Sequence, residues 1–532
     1  MRRGPVIVSF TLLALAGSAW RAGHGVGAGA RRDTAVAPSG VVLICLDTLR
    51  ADALSLDSGR PILMPRLEAF ARESVAFADA VAPAAWTLPS VATLLTGLEP
   101  LRTGVFGLPE RLRVMSAAVP TLADELSTAG WYSASITSSE WLGPDSSVMR
   151  GFGEGLVGLD RGPEELLDVW NRRRPADAPF FLFLHSVAAH DPYLEDATGL
   201  DGARAGKRFG TEAVRIPEGA PAPGFSDDDV ARVRRMASTI DAGSLPPFAD
   251  LAWAFERYMA SAASRARLMA AMPRASVRAY LAATRRWLEE DCGHDPKIAT
   301  LAARLRAVYD ASLADVDHMA GRILDGLARL DLPAGTAVIL VSDHGESFGE
   351  HETFGHGRRL YDELLRVPLI IHAPGRMGAP GRMGAPRVVR GPCGLVDVVP
   401  TILALAGRAR TSGFDGLSLV DVQALTLSDR ALHAVDERLA FDDAGEHVVR
   451  LESIRTARAK CLVNRDPLDL RVQSTDVYDL LLDPLERHPI PYAALDLPCR
   501  FGDEFAAALE KAGLPVPCRE ADARQAGAAP GG

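Results

Sequence analysis

Four unbroken apolar runs stand out along the chain. Gly40 to Asp47 reads GVVLICLD, a hydrophobic stretch that closes on a carboxylate. Pro179 to His185 (PFFLFLH) and Ala337 to Asp343 (AVILVSD) repeat that grammar, and Val367 to His372 (VPLIIH) is the fourth. Runs of this length without polar alternation predict strands buried on both faces, as in a parallel sheet. Helical spacing fills the intervals over Pro65 to Phe77, Pro120 to Gly130 and Val308 to Leu330. Strands alternating with helices predict an α/β fold around a mostly parallel central sheet. Functional groups of such sheets gather at the carboxyl ends of the strands. Asp47, His185 and Asp343 all fall there.

The pattern changes in two places. Residues 195–300 are rich in Ala, Arg and Ser at helical spacing and predict a helical insertion within an α/β domain over 38–425. From Ala431 the pattern shifts to short strands, including Ala459 to Asn464, followed by the turn-rich Val477 to Pro484. This predicts a smaller α+β subdomain over 426–518 and a frayed tail over 519–532. Gly375-Arg-Met-Gly-Ala-Pro repeats at once from Gly381, a tandem duplication expected in a surface loop.

The 532 residues, 48% hydrophobic and 24% charged, have a globular balance, and the length calls for more than one small core. A net charge of −10 gives no support to nucleic-acid binding. Asn171-Arg172-Arg173-Arg174 reads as a solvated face. The N-terminus begins Met1-Arg2-Arg3, continues through an apolar run from Pro5 to Gly17 and reaches Ala28-Gly29-Ala30. That is the order of a cleaved export signal over 1–30, which leads to a periplasmic or extracellular protein; an uncleaved anchor is the alternative. No later stretch is long and apolar enough to span a membrane. None of the six cysteines forms a CxxC pair. Cys45 reads as a buried hydrophobe, and a bond between Cys499 and Cys518 stays open.

Asp47 and the pair Asp343-His344 bring carboxylates and an imidazole to strand ends. This donor set suits a divalent cation: Ca²⁺, Mg²⁺, Mn²⁺ or Zn²⁺. Thr87 in AWTLPSVATLLTG precedes Pro89, which favours the first turn of a helix. The plain reading makes Thr87 a helix cap. The chemical reading makes its hydroxyl a nucleophile at an anion-attracting helix N-terminus, activated by a metal.

Eight segments then occur in order: VVLICLDTLRAD, TLPSVATLLTG, HSVAAHDPY, YDASLADVDHMAGRIL, VSDHGESFGEHETFGHG, LYDELLRVPLIIHAPG, LVDVVPTILALAG and VYDLLLDPLE. Together they resemble the sulfatase family of the alkaline-phosphatase superfamily, from about Val41 to about Pro489. The resemblance implies a three-layer sandwich and one divalent ion held by Asp47, Thr87, Asp343 and His344, with Thr87 as nucleophile. His190 and His356 match anion-binding positions that can also protonate a leaving group. His185 and His351 are open between a site role and a structural one.

Three departures qualify the resemblance. Sulfatases carry Cys or Ser, converted to formylglycine, where this chain has Thr87; their following Arg is Val91 here. Oxidising the secondary hydroxyl of Thr would give a ketone, so no formylglycine is expected. The second Asp of a frequent Asp-Asp pair is Thr48, whose hydroxyl is the remaining candidate donor. The Lys-x-His element has no counterpart in Ser135 to Leu142. Three functions stay open: a sulfate- or phosphate-ester hydrolase using Thr87, a phosphodiesterase or phosphoglycerol-type transferase of the same fold, or a non-catalytic binding protein. The expected partner is a sulfated or phosphorylated small molecule, glycan or lipid headgroup.

Overall fold

A computed structural model describes residues 40–56, 62–107, 114–193, 227–241, 246–260, 268, 298–377, 387–408, 413–420, 430–442, 445–491, 501 and 503–514. Residues 1–30, where an export signal is expected, most of the insertion, the second copy of the GRMGAP repeat, Cys292, Cys499, Cys518 and the tail lie outside the described residues.

The early strands are β1 (Gly40–Leu46), β2 (Val75–Phe77), β3 (Ala80–Val81), β4 (Tyr132–Thr137), β5 (Glu154–Val157) and β6 (Phe180–Ser186). Then come β7 (Ala337–Val341), β8 (Ser347–Phe348), β9 (Phe354–Gly355), β10 (Leu369–His372), β11 (Arg387–Val389) and β12 (Cys393–Gly394). Eight of them form one sheet in the order β11-β2-β10-β7-β1-β6-β4-β5. β1 lies at its centre, parallel to β6 and β7, with Cys45 in register with both His185 and Val341.

The central strands send side chains to both faces, and each face has its own core. Val41, Leu43 and Cys45 join one layer with α2 (Thr87–Thr96) and the Val398–Leu405 helix. Val42, Ile44 and Leu46 join the other, with α1 (Pro65–Arg72) and the Ile298–Arg329 helix. This is a three-layer α/β sandwich. Each fully buried Leu, Ile or Val contributes about 1.5–3 kcal/mol, which is why unbroken apolar runs specify central strands.

Several predicted elements take different bounds. The Pro65 to Phe77 pattern divides: α1 ends at Arg72, and Val75–Phe77 becomes β2, paired with β10 and β11. Sheet hydrogen bonding wins there over helical spacing. The free N–H groups of Arg66 and Leu67 at the start of α1 are capped from afar by Asp317 of the long helix, at 2.9–3.1 Å. The long helix begins at Ile298, before the predicted Val308. Within 195–300, helices Asp227–Asp241 and Phe248–Ala260 are described. The apolar run ending at His372 forms β10, antiparallel to both β7 and β2, so His372 falls at the edge away from Asp343. An apolar run specifies burial but not direction.

Four longer strands, β13 (Leu432–Asp442), β14 (Gly445–Arg455), β15 (Ala459–Arg465) and β16 (Val472–Asp479), form an antiparallel sheet. Its first two strands are eleven residues each, longer than the short strands predicted. Phe501, Phe505 and Leu509, the last two from the Asp503–Lys511 helix, cover Cys461, Val463 and Val477. A buried charge cluster ties this sheet to the sandwich. Lys460 Nζ, 0% exposed, lies 2.9 Å from both Asp362 Oδ1 and Glu486 Oε1. Arg455 pairs with Asp362 Oδ2 at 3.0 Å. Burial opposes charge on Asp362, yet Arg455 and Lys460 hold it well below the usual carboxylate range. No helix among the described residues is long and apolar enough to cross a membrane.

Removing one member of a buried ion cluster strands the others. Lys460→Ala is expected to cost about 3–5 kcal/mol of stability. Urea denaturation of the purified protein checks this, and a change below about 1 kcal/mol would show that the cluster does not hold the subdomain.

Candidate metal centre and active site

The three central strands converge on one buried cluster. Asp47 follows β1 and Asp343 follows β7, both almost wholly buried. His344 Nε2 lies 3.3 Å from Asp47 Oδ1 and 3.7 Å from Asp343 Oδ2. Its other ring nitrogen, Nδ1, lies 2.9 Å from the Gly345 carbonyl, to which it donates, and Nε2 faces the carboxylates. Asp343 Oδ1 accepts from the His344 N–H at 3.0 Å and the Thr48 N–H at 3.4 Å. Its Oδ2, like Asp47 Oδ1, has no hydrogen-bond partner.

Two carboxylates buried side by side call for compensating positive charge. Burial works to raise the Asp47 pKa, but His344, His190 and His185 hold it well below the usual carboxylate range. Burial works to lower that of His344, but Asp343 and Asp47 push it up to about 10. Ligand atoms of Asp47, Asp343 and His344 all lie within 4.8 Å of one another. Two orphaned carboxylate oxygens and an inward-facing imidazole nitrogen fit a divalent cation in charge and donor type.

Thr87 is the first residue of α2, where Trp86 holds the cap position with no side-chain cap bond. Thr87 therefore does not cap its helix. Its hydroxyl points into the cluster instead, donating to Asp47 Oδ2 at 3.3 Å and lying 3.4 Å from His344 Nε2. Thr48 takes the opposite course: its hydroxyl turns to the main chain and donates to the Asp47 carbonyl at 2.7 Å. It replaces no missing carboxylate. Its backbone holds φ at 58°, braced by the Tyr309 hydroxyl, which donates to the Thr48 carbonyl at 3.1 Å. Val91 is fully buried in the core layer around α2 and puts no cation at the site.

Two half-buried histidines stand beside the cluster. The His356 ring lies 4.7 Å from that of His344 and 4.9 Å from that of His190. Each has a carboxylate at Nδ1: Glu346 Oε1 at 3.1 Å for His356, and Asp191 Oδ1 at 3.1 Å for His190. Burial lowers the pKa of His190, but Asp191, Asp47 and Glu346 raise it above its ordinary value. His185 is wholly buried, with Nε2 3.9 Å from Asp47 Oδ2 and 3.8 Å from Asp343 Oδ2.

His351 is elsewhere. It lies 2.9 Å from Glu363 Oε1 and 3.0 Å from the Glu486 carbonyl, and stacks on Tyr361 at 3.5 Å. It links the sandwich to the C-terminal region and does not join the cluster. Sequence reasoning missed Glu346, Asp191 and Tyr309. The first two adjoin motif histidines, which is a weak signal, and Tyr309 gives none because its target is 261 residues away. The C-terminal sheet also reaches the loop before Thr87, where the Val435 N–H donates to the Pro83 carbonyl at 2.9 Å.

The sulfatase family model matches residues 39–408. Arylsulfatase K of Mus musculus is 39% identical over 116 residues, 22% of this chain and 20% of the relative. The arylsulfatase of Clostridium perfringens is 34% identical over 119 residues, 22% of this chain and 24% of the relative. The matched stretch thus spans about a fifth to a quarter of these relatives' lengths. Among solved structures, a protein in complex with its substrate D-glucosamine-2-N,6-O-disulfate aligns with TM-score 0.60 and 21% identity, over 90% of this chain and 97% of the other. The phosphonate monoester hydrolase of Agrobacterium radiobacter aligns with TM-score 0.56 and 17% identity, over 90% and 95%. At these identities the structural likeness speaks for the fold, and the match across most of the chain speaks for the lineage: this protein belongs to the sulfatase family.

Proposed function

We propose that the protein is a metal-dependent hydrolase of phosphate or sulfate esters in which Thr87 is the nucleophile. The observation that carries this reading is the Thr87 hydroxyl, buried at the start of α2 and 3.3 Å from the Asp47 carboxylate within the metal-suited cluster. Asp47, Asp343, His344 and Thr87 would hold the ion. When bound, a divalent cation lowers the pKa of a ligated hydroxyl and offsets charge on the ester's non-bridging oxygens.

The residues divide the remaining work. Thr87 Oγ1 loses its proton to solvent and attacks phosphorus in line with the ester bond. The bond to the leaving oxygen breaks, and its electron pair stays on that oxygen. His190, kept protonated by Asp191, Asp47 and Glu346, supplies the proton. His356, held at Nδ1 by Glu346, faces the anion with its other nitrogen. Water then attacks the phospho-threonine, and Thr87 Oγ1 leaves and regains a proton. A formylglycine hydrate releases sulfate by breaking its own C–O bond; Thr has no second hydroxyl for that step. Thr87 therefore favours phosphoryl over sulfuryl esters, and the name of the family describes its ancestry better than this reaction. The phosphonate monoester hydrolase among the structural neighbours is consistent with that preference. The substrate class is a phosphorylated or sulfated small molecule, glycan or lipid headgroup. The basic and apolar order of residues 1–30 supports export.

Two outcomes test this reading. With Mn²⁺ or Ca²⁺ added, a panel of phosphodiesters, phosphonates and aryl sulfates should show turnover that falls on the order of 10³-fold or more in Thr87→Ala. Wild-type protein quenched early should carry a phosphoryl adduct on the Thr87 peptide by mass spectrometry. Sulfate-ester turnover that survives Thr87→Ala would remove the nucleophile assignment. The second outcome concerns protons. Near neutral pH, His344 with a pKa of about 10 is protonated before an ion arrives and must lose that proton to ligate it. Wild-type protein should then release about one more proton per bound Mn²⁺ than His344→Gln, measured by calorimetry in buffers of different ionisation enthalpy. Equal release in the two proteins would argue against His344 as a ligand.

A further inference from the structure

We propose that His185 is a fifth protein side chain on the metal, beside Asp47, Asp343, His344 and Thr87, so that the site carries two carboxylates, two imidazoles and a hydroxyl. This rests on the reading that Asp47, Asp343 and His344 hold a divalent ion. His185 ends the apolar run of β6, in register with Cys45 of β1 and Thr137 of β4. It is 0% exposed, and neither ring nitrogen has a hydrogen-bond partner. A buried imidazole with both nitrogens unmade is costly, and native proteins rarely carry one without a use for it. Its Nε2 is aimed between the carboxylates, 3.9 Å from Asp47 Oδ2 and 3.8 Å from Asp343 Oδ2. The second of these is itself an orphaned oxygen.

The spacing suits one shared ion. Donors about 2.1 Å from one shared ion stand about 3.0–3.4 Å apart, depending on coordination number. The distances from His344 Nε2 and His185 Nε2 to the oxygens of Asp47 and Asp343 run from 3.3 to 3.9 Å, near such edges. Cys45 Sγ, the other soft donor nearby, lies within 4.8 Å of ligand atoms of His185 and Asp343. Two imidazoles beside two carboxylates favour a transition-metal ion such as Mn²⁺ or Zn²⁺ over Ca²⁺, which prefers six to eight oxygens.

Pulsed EPR of the full-length protein loaded with Mn²⁺ counts directly bound imidazole nitrogens. Two are expected in the wild type and one in each of His185→Gln and His344→Gln. Chelator competition should show Mn²⁺ bound at least about tenfold tighter than Ca²⁺, with the preference reduced in His185→Gln. His185→Asn serves if the Gln variant does not fold, and the wild-type count needs no variant. One nitrogen in the wild type, lost in His344→Gln but kept in His185→Gln, would overturn the proposal and leave the metal reading standing. A wild type that takes up no Mn²⁺ would overturn both.

Discussion

Two carboxylates buried side by side set the terms for the rest of this molecule. Asp47 and Asp343 end adjacent parallel strands, so backbone pairing between β1 and β7 forces them together. Neither can shed its charge into water. The surrounding groups answer that demand with imidazoles: His344 directly, His185 from β6, and His190 and His356 from the flanking loops. Thr87 gains its position from the same constraint. A hydroxyl at a helix start usually turns back on its own backbone; here it turns to the carboxylate of another strand.

Supporting contacts preserve this arrangement at a distance. Tyr309 of the long helix holds the Thr48 turn. Ser342 Oγ accepts from the Leu49 N–H and donates to the His344 carbonyl, joining the two carboxylate-bearing loops. The antiparallel sheet lends Val435 to the loop that precedes Thr87, and is itself anchored through Lys460, Asp362 and Glu486. The anchor is ionic and buried, so it is specific in register and intolerant of losing one partner.

Much of this was legible in the residues. The runs ending at Asp47, His185 and Asp343 announced central strands, because only strands covered on both faces read as unbroken apolar stretches. The motif order gave the family, and with it Asp47, Thr87, Asp343, His344, His190 and His356 as candidates. The structure brings all six into one neighbourhood. His351, equally a motif histidine, belongs instead to the seam with the C-terminal region.

What the sequence determined by itself is burial and residue chemistry: which runs are core, which strand ends carry carboxylates, and that position 87 carries the secondary hydroxyl of a threonine. Tertiary structure decided direction and partnership. It ran β10 against its neighbours, turned the Thr48 hydroxyl to the main chain and that of Thr87 to Asp47, and left both nitrogens of His185 without a hydrogen-bond partner, with Nε2 toward the carboxylates. The physical reason is that hydrophobic patterning is local and non-directional. The orientation of a polar side chain such as Thr87 is set by partners distant in sequence, Asp47 at 40 residues and His344 at 257, which only the packed sheet brings within hydrogen-bonding range.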